Sequence, residues 1–461
     1  MIPASRFAAR RSALCRALGR GTFAFAAGRE RPRNYPANVL EFRADSTFLW
    51  LFGLRAERGA VALLDAAAGR ATLFLDPGAS DDALWHGEAP SLSERAAPSG
   101  ITDLRPLAQL ERAALAAHPV HALAHTDPAT VAELRALGIT VADFGAPLDD
   151  ATARLCDALI ALRMCKDADE LAELRAASAL TARGHRAAMR ATRPGRKESA
   201  VRAALEAEWI AADVAPAYPS IVTVRGEVLH HRTYAGTLTD GDLLLCDAGA
   251  ESPGLGYASD VTRTWPVGGR FSARQRDAYA LVLASQTAAI ARCRPGTEYR
   301  DVHLAASRVL AEGLVALGLL RGDPETLVAE GAHAVFFPHG VGHLLGLDVH
   351  DMEGFGDRAG YAPGRARSPQ FGLSYLRLDR PLAEGWVVTI EPGFYVAPAI
   401  LRDPALRVRL GDRVAWAEAE RWIGFGGIRI EDDVHVTAAD PEVLTLEIPK
   451  DIDAVESSIG D

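Results

Sequence analysis

Four segments of the chain set acids and histidines where they could do metal or acid–base chemistry. Asp247 and Asp260 stand 13 residues apart at the two ends of a glycine-rich stretch, with strand-like residues leading into the first and out of the second. The ESPGL between them is a turn, so both carboxylates can face one side of a hairpin. Thr262 shares that face and is placed to hydrogen-bond a ligand. Aspartates also flank turns routinely, so the hairpin alone decides nothing.

The second segment, FFPHGVGHLLGLDVHD, holds His339, His343 and His350 within twelve residues. The His339 to His343 spacing matches a zinc helix of the H-E-x-x-H type, but Gly340 occupies the glutamate position and the glycines oppose a regular helix. That motif is rejected. In VVTIEPGFYV, Glu391 ends an apolar strand, where a carboxylate is at least half buried and costly unless paired or bound to a metal. GFGGIRIEDDVHV puts Arg429 and Glu431 two apart on one strand face, which a structural ion pair would also explain. Taken together, Asp247, Asp260, Glu391 and Glu431 bring four negative charges, the number two divalent cations neutralise. With His343 as the one nitrogen donor the set is mostly hard oxygen, which favours Mn²⁺ over a structural zinc cage. Paired divalent ions activate water near neutral pH and polarise carbonyls, so the reaction class is metal-assisted hydrolysis.

The elements that must position these groups follow from periodicity. At 461 residues the chain is long enough for two or three domains. Residues 36–145 read as short strands alternating with helices: TFLWLFGL, GAVALLDA and ATLFLD as strands, ITDLRPLAQLERAALAA and DPATVAELRALG as helices. His86, His118, His121 and His125 lie there without acid or cysteine partners at useful spacing and read as surface or structural. From 149 to 191 the pattern is helical, placing a domain boundary near residue 160. Beyond it, two stretches at 186–209 and 287–310 each read as helix, Arg-Pro-Gly, helix, with the triplets 101 residues apart. That echo predicts two related halves, although Pro-Gly after a helix is also ordinary punctuation. The first 29 residues contain six arginines and no acid, superficially like a transit peptide, but they also read as an amphipathic helix, Arg6 to Leu18, followed by a strand.

Composition narrows the partners. A formal charge of -10 argues against a broad grip on nucleic acid or anionic membrane, and no apolar run reaches the length of a membrane span. Five scattered cysteines with no C-x-x-C fit a reducing, cytoplasmic setting. There is no G-x-S-x-G for a serine hydrolase and no Gly-Lys pair for a phosphate loop.

The ordered set DAG…SDVTRTWP, PHGVGHLLGLDVHD, TIEPGFY and GIRIEDD resembles the proline-specific metallopeptidases of the pita-bread superfamily, prolidase and aminopeptidase P, and EFRADSTFLWLFGL resembles the start of their N-terminal domain. The resemblance implies an α+β protein: a smaller N-terminal α/β domain over 1–160, and over 161–461 a pita-bread catalytic domain, a duplicated α/β unit whose antiparallel sheet is covered by helices. It implies two divalent ions, with Asp247 on one, His343 and Glu391 on the other, and Asp260 and Glu431 bridging. Glu391 would also be the general base, His350 would contact the scissile carbonyl, and His230, more than its neighbour His231, would bind substrate. His339 would belong to the same pocket, and Arg429 would orient the metal-binding strand and substrate. The long stretch between Glu391 and Glu431 and the segment YLRLDRPLAEGW resemble prolidase, whose arginine for a dipeptide's free carboxylate would be Arg377. A surface pair of Arg377 with Asp379 or Asp403 is the alternative. The resemblance therefore implies a cytoplasmic, homodimeric Xaa-Pro dipeptidase. An aminopeptidase P acting on longer peptides is the second reading, and a non-catalytic binding protein of the same fold the third. The turn between Asp247 and Asp260 is about two residues longer than the family's, which an even-length lengthening of the tip around Pro253 to Leu255 would absorb.

Overall fold

The computed structural model describes residues 2–78 and 82–460. The chain divides into two compact units, Met1–Arg163 with Gly354–Gly356, and Met164–Glu353 with Asp357–Asp461.

The first unit is built on a six-stranded mixed sheet of β1 (Thr22–Ala26), β2 (Val61–Asp65), β3 (Arg70–Leu75), β4 (Leu104–Pro106), β5 (Val120–Ala122) and β6 (Thr140–Val141), in the order β4-β3-β2-β1-β5-β6. Two expectations are corrected here. TFLWLFGL is not a strand but the core of the helix Ser46–Phe52. A short, wholly apolar run has no periodicity to separate the two states, and the ends decide: Asp45 accepts from the backbone of Thr47 and Phe48, and Gly53 closes the last turn in the left-handed region. ITDLRPLAQLERAALAA is α-helical only over Leu110–Ala116, after a 3-10 turn at Leu107–Gln109, because its first part supplies edge strand β4. His121 does have an acid partner, Asp149 at 3.2 Å, too far away in sequence to be read from spacing.

The arginine-rich start forms the helix Ala4–Leu18, and its charges are used inside the unit. Arg10 donates to the Trp50 carbonyl (3.2 Å), and Arg11 to those of Leu51 (2.8 Å) and Ser99 (2.9 Å). The last carbonyls of a helix lack partners within it and form the negative end of its dipole, so two buried guanidinium groups complete the short helix Ser46–Phe52.

The second unit repeats one plan. The helices Ala168–Ala191 and Glu198–Ile210 precede the antiparallel strands β7 (Ile221–Thr223), β8 (Leu243–Asp247) and β9 (Thr262–Pro266). The helices Ala273–Ile290 and Tyr299–Ala316 precede β10 (Val387–Ile390), β11 (Gly393–Tyr395), β12 (Gly427–Arg429), β13 (Asp432–His435) and β14 (Glu442–Val443). The Arg-Pro-Gly breaks make matching contacts. The Gly195 amide donates to the Leu238 carbonyl and that of Gly296 to Leu382, both at 2.8 Å. The antiparallel bridges Lys197 to Thr237 and Glu298 to Pro381 follow in the same relative places. Pro-Gly punctuation alone does not require two such equivalent pairings, so the echo reflects a duplicated unit. No helix among the described residues is long and apolar enough to cross a membrane, and all five cysteines are free.

The arginine contacts generate a test. Arg11→Met leaves two buried carbonyls without donors and is expected to cost about 2–4 kcal/mol, whereas exposed Arg16→Gln is expected to cost less than about 0.5 kcal/mol. Calorimetric unfolding of both variants checks this; equal midpoints would show that the buried arginine does not hold the helix.

Candidate metal centre

Two antiparallel ladders bring the acids together. In the first, β8 pairs with β9 so that Leu243 faces Pro266 and Asp247 faces Thr262. The register continues unbroken past the named strands, through the Glu251–Ala258 bridge to Ser252, whose amide donates to the Tyr257 carbonyl at 2.8 Å. Pro253 to Gly256 form the tip, so the length of the turn is taken up there, and Asp260 stays two residues from Thr262 on the face of Asp247. The tip is tied to the helix Ala168–Ala191: the Leu255 amide donates to Glu173 (3.0 Å) and the Tyr257 hydroxyl to Glu170 (2.7 Å).

In the second ladder β10 pairs with β13, Ile390 facing Asp432, and β11 pairs with β12, Gly393 facing Arg429. Both pairings keep the same register, so Glu391 and Glu431 lie opposite one another at the junction. Pro392, which has no amide hydrogen, interrupts the strand there. The ladders join where the Glu431 amide donates to the Thr262 carbonyl at 3.0 Å.

His343 comes from a segment laid along β10. Its amide donates to Thr389 Oγ1 (3.1 Å), the Thr389 amide returns to its carbonyl (2.9 Å), and the Glu391 amide donates to Val341 (2.8 Å). This close approach requires Gly342, where a Cβ would lie 2.0 Å from the Thr389 oxygen. The His343 Nδ1–H donates to the Leu344 carbonyl at 3.0 Å, which turns Nε2 toward the acids, where it can hydrogen-bond a carboxylate or ligate a cation. Nε2 is 3.3 Å from Asp260 Oδ2 and 3.7 Å from Glu391 Oε1.

Asp260, His343 and Glu431 each present a ligand atom within 4.8 Å of the others, and all three are buried. Burial, then mutual repulsion, raises the carboxyls here: Glu431 goes well above its ordinary range and Glu391 to about 8. Asp247 rises as well, first through burial, although Arg429 opposes it. Asp260 goes the other way, because the hydrogen-bonded His343 outweighs the effect of burial. Acids so placed must hold protons or a cation, and a set of carboxylates with one imidazole suits a hard divalent ion. The residues therefore fit the metal. Asp247 stands apart from the tight cluster, with Arg429 Nη2 on one oxygen (2.5 Å) and the Tyr218 hydroxyl on the other (2.7 Å).

All ten residues singled out above for metal, catalysis or substrate line one cavity of about 670 Å³. Arg429 also donates to the Tyr395 hydroxyl (3.1 Å), which in turn reaches His339 Nε2 (2.8 Å). The His350 ring stands edge-on to His343 with centroids 4.3 Å apart. Next to it, Asp351 forms a buried pair with Lys166 at 3.0 Å, which fixes the loop. His230 lies at the rim of the cavity, while His231 reaches Thr233 Oγ1 at 3.4 Å. Two expectations change. Thr262 serves the protein rather than a ligand, since its hydroxyl accepts from Arg429 Nε (2.9 Å) and donates to Glu431 (2.5 Å). Arg377 pairs with neither Asp379 nor Asp403; its partner is Glu353. Sequence reasoning misses Tyr218, Tyr395 and Glu353: the first two meet Asp247, Arg429 and His339 only across 29 to 56 positions, while Glu353, three residues after His350, does carry a local signal.

Comparison with known proteins identifies the family and the fold. Residues 172–438 match metallopeptidase family M24, and residues 7–119 match the aminopeptidase P N-terminal domain. The human Xaa-Pro dipeptidase is 30% identical, over 100% of this chain and 94% of its own. The Escherichia coli K12 Xaa-Pro aminopeptidase is 37% identical over 64% of this chain and 59% of its own. The structure of Pseudomonas aeruginosa aminopeptidase PepP superposes with a TM-score of 0.80 at 32% identity, covering 100% of this chain and 98% of the other. The two matched regions fall in the sheet unit and in the duplicated unit that holds the acids, and the chain belongs to the proline-specific branch of metallopeptidase family M24.

Proposed function

We propose that the protein is an Xaa-Pro dipeptidase that works with two Mn²⁺ ions. The observation that carries this reading is Arg377, a guanidinium lining the same cavity as the five ligand-type residues, where it can take both oxygens of a dipeptide's carboxylate. The near full-length likeness to the human dipeptidase supports it. The likeness to aminopeptidase PepP favours a second reading, cleavage of longer Xaa-Pro peptides.

Asp247, Asp260, His343, Glu391 and Glu431 would hold the metal, which supplies Lewis acidity toward the scissile carbonyl and makes water a better nucleophile. Glu391, at the end of β10, accepts the proton of the attacking water and returns it to the departing proline nitrogen. His350 donates to the carbonyl oxygen as charge develops there. The chain from Arg429 through the Tyr395 hydroxyl to His339 fixes the wall behind Glu391, and His230 closes the rim over substrate. Arg377 sets the register by holding the carboxylate one residue beyond the cleaved bond. A cytoplasmic homodimer is the form we expect.

Glu391→Gln keeps the shape of the side chain but removes the base, and kcat is expected to fall by about 10²–10⁴; near wild-type turnover in the metal-loaded variant would remove Glu391 from that role. With Mn²⁺ present, an Xaa-Pro dipeptide is expected to be hydrolysed faster than an Xaa-Pro-Xaa tripeptide, and Arg377→Met to raise KM for the dipeptide about tenfold or more. Preference for the tripeptide would establish the second reading.

Metal removal gives an independent test. An acid raised by the fold binds its proton more tightly folded than unfolded, so metal-free stability falls as pH rises between the unfolded value near 4.5 and the folded value near 8 for Glu391. Chelated protein should therefore melt at progressively lower temperature from pH 5 to pH 8 and hydrolyse nothing, and Mn²⁺ should reverse both. A flat pH profile without metal, or full activity in chelator, would contradict the metal assignment.

A further inference from the structure

Glu353 has no part in the roles assigned above, yet it lines the cavity and joins two of its working side chains. Its Oε2 accepts from His350 Nδ1 at 2.8 Å, and its Oε1 is bonded by Arg377 Nη1. The hydrogen bond from His350, and then the Arg377 charge, outweigh burial and hold the carboxyl at about 2, so Glu353 is an anion under working conditions. The guanidinium assigned to the substrate carboxylate thus already carries a carboxylate from the protein.

Burial distinguishes this contact from a structural one. The neighbouring Lys166–Asp351 pair is 1% and 2% exposed, and breaking it would strand a buried charge. Arg377 and Glu353 are 36% and 46% exposed, a setting in which an ion pair contributes little and water solvates either partner when it is released. Among the cavity arginines, Arg377 is the one whose exposed carboxylate partner also lines the cavity. Arg429 is committed to Asp247, and Arg367 to Asp357 at 2.8 Å. Arg232, exposed at the wall, makes none of these contacts with the catalytic groups.

We propose that Glu353 is a specificity-determining residue: it occupies, on Arg377, the place of the substrate's terminal carboxylate, so a free acid enters by displacing Glu353 Oε1 while Oε2 remains on His350. This rests on the dipeptidase reading of Arg377. A peptide amide has no anion to exchange and leaves the pair intact. The displaced Glu353 stays close enough to oppose the incoming carboxylate, so the chain weakens its own grip on free acids and eases release of the proline carboxylate after cleavage.

The test compares KM for Ala-Pro and Ala-Pro amide in the Mn²⁺-loaded wild type and in Glu353→Gln. The glutamine carbonyl can still accept from His350, so any damage common to both substrates cancels in the ratio of the two KM values. The ratio of acid to amide is expected to fall about threefold to fivefold, the range set by an exposed ion pair. In an Arg377→Met background the same substitution should leave the ratio unmoved. An unchanged or increased ratio in Glu353→Gln, or an equal fall without Arg377, overturns the proposal. A wild-type preference for the tripeptide overturns the dipeptidase reading instead, and does so without altering how this ratio reports on Glu353.

Discussion

Four carboxylates that repel one another in a buried place are the constraint on which the second unit is organised. Each would be better solvated elsewhere, and burial drives Asp247, Glu391 and Glu431 toward protonation. What holds them is backbone: two ladders, each in a single register, with the acids at the ladder ends and a hydrogen bond between Glu431 and Thr262 joining one to the other. Side-chain flexibility can relax the carboxylates, as Asp247 does toward Arg429 and Tyr218, but cannot remove them from the cavity. The electrostatic cost therefore becomes affinity for a cation.

Much of this was legible in the sequence, for identifiable reasons. Glu391 stood out because a charge ending an apolar run needs a partner, and the hairpin aspartates because strand alternation fixes their face whatever even number of residues is added at the tip. The Arg-Pro-Gly echo was visible because glycine and proline mark turns that few other residues make. What failed was local reading where the environment decides. TFLWLFGL is buried on every side, so its pattern could not reveal a helix, and the deciding signals were Asp45 before it and Gly53 after it.

The partners of the site residues were less legible still. Asp247 and Arg429 are 182 positions apart, and Tyr395 serves His339 across 56. Neither contact leaves a trace in spacing. Arg377 is the instructive case: Asp379 lies two residues from it and Asp403 follows later in the chain, yet the chain turns so that the partner is Glu353, 24 residues earlier. Asp379 is taken by Arg300 and Arg365.

The stretch 396–426 leaves the second ladder after Tyr395 and returns at Gly427, with the Val396 amide still donating to Gly426 at 3.1 Å. It thus hangs beyond the carboxylates as the loop of a hairpin whose arms are already zipped, and it lends Ile400 to the cavity wall. Part of the cavity wall and two of its acids are in this way carried on one continuous ladder. The stretch is itself anchored, with the Ala415 amide on the Leu319 carbonyl and the Arg321 amide on that of Arg413, so the segment around Leu319 to Arg321 helps set where Ile400 stands in the wall, while the arms alone keep the acids in place.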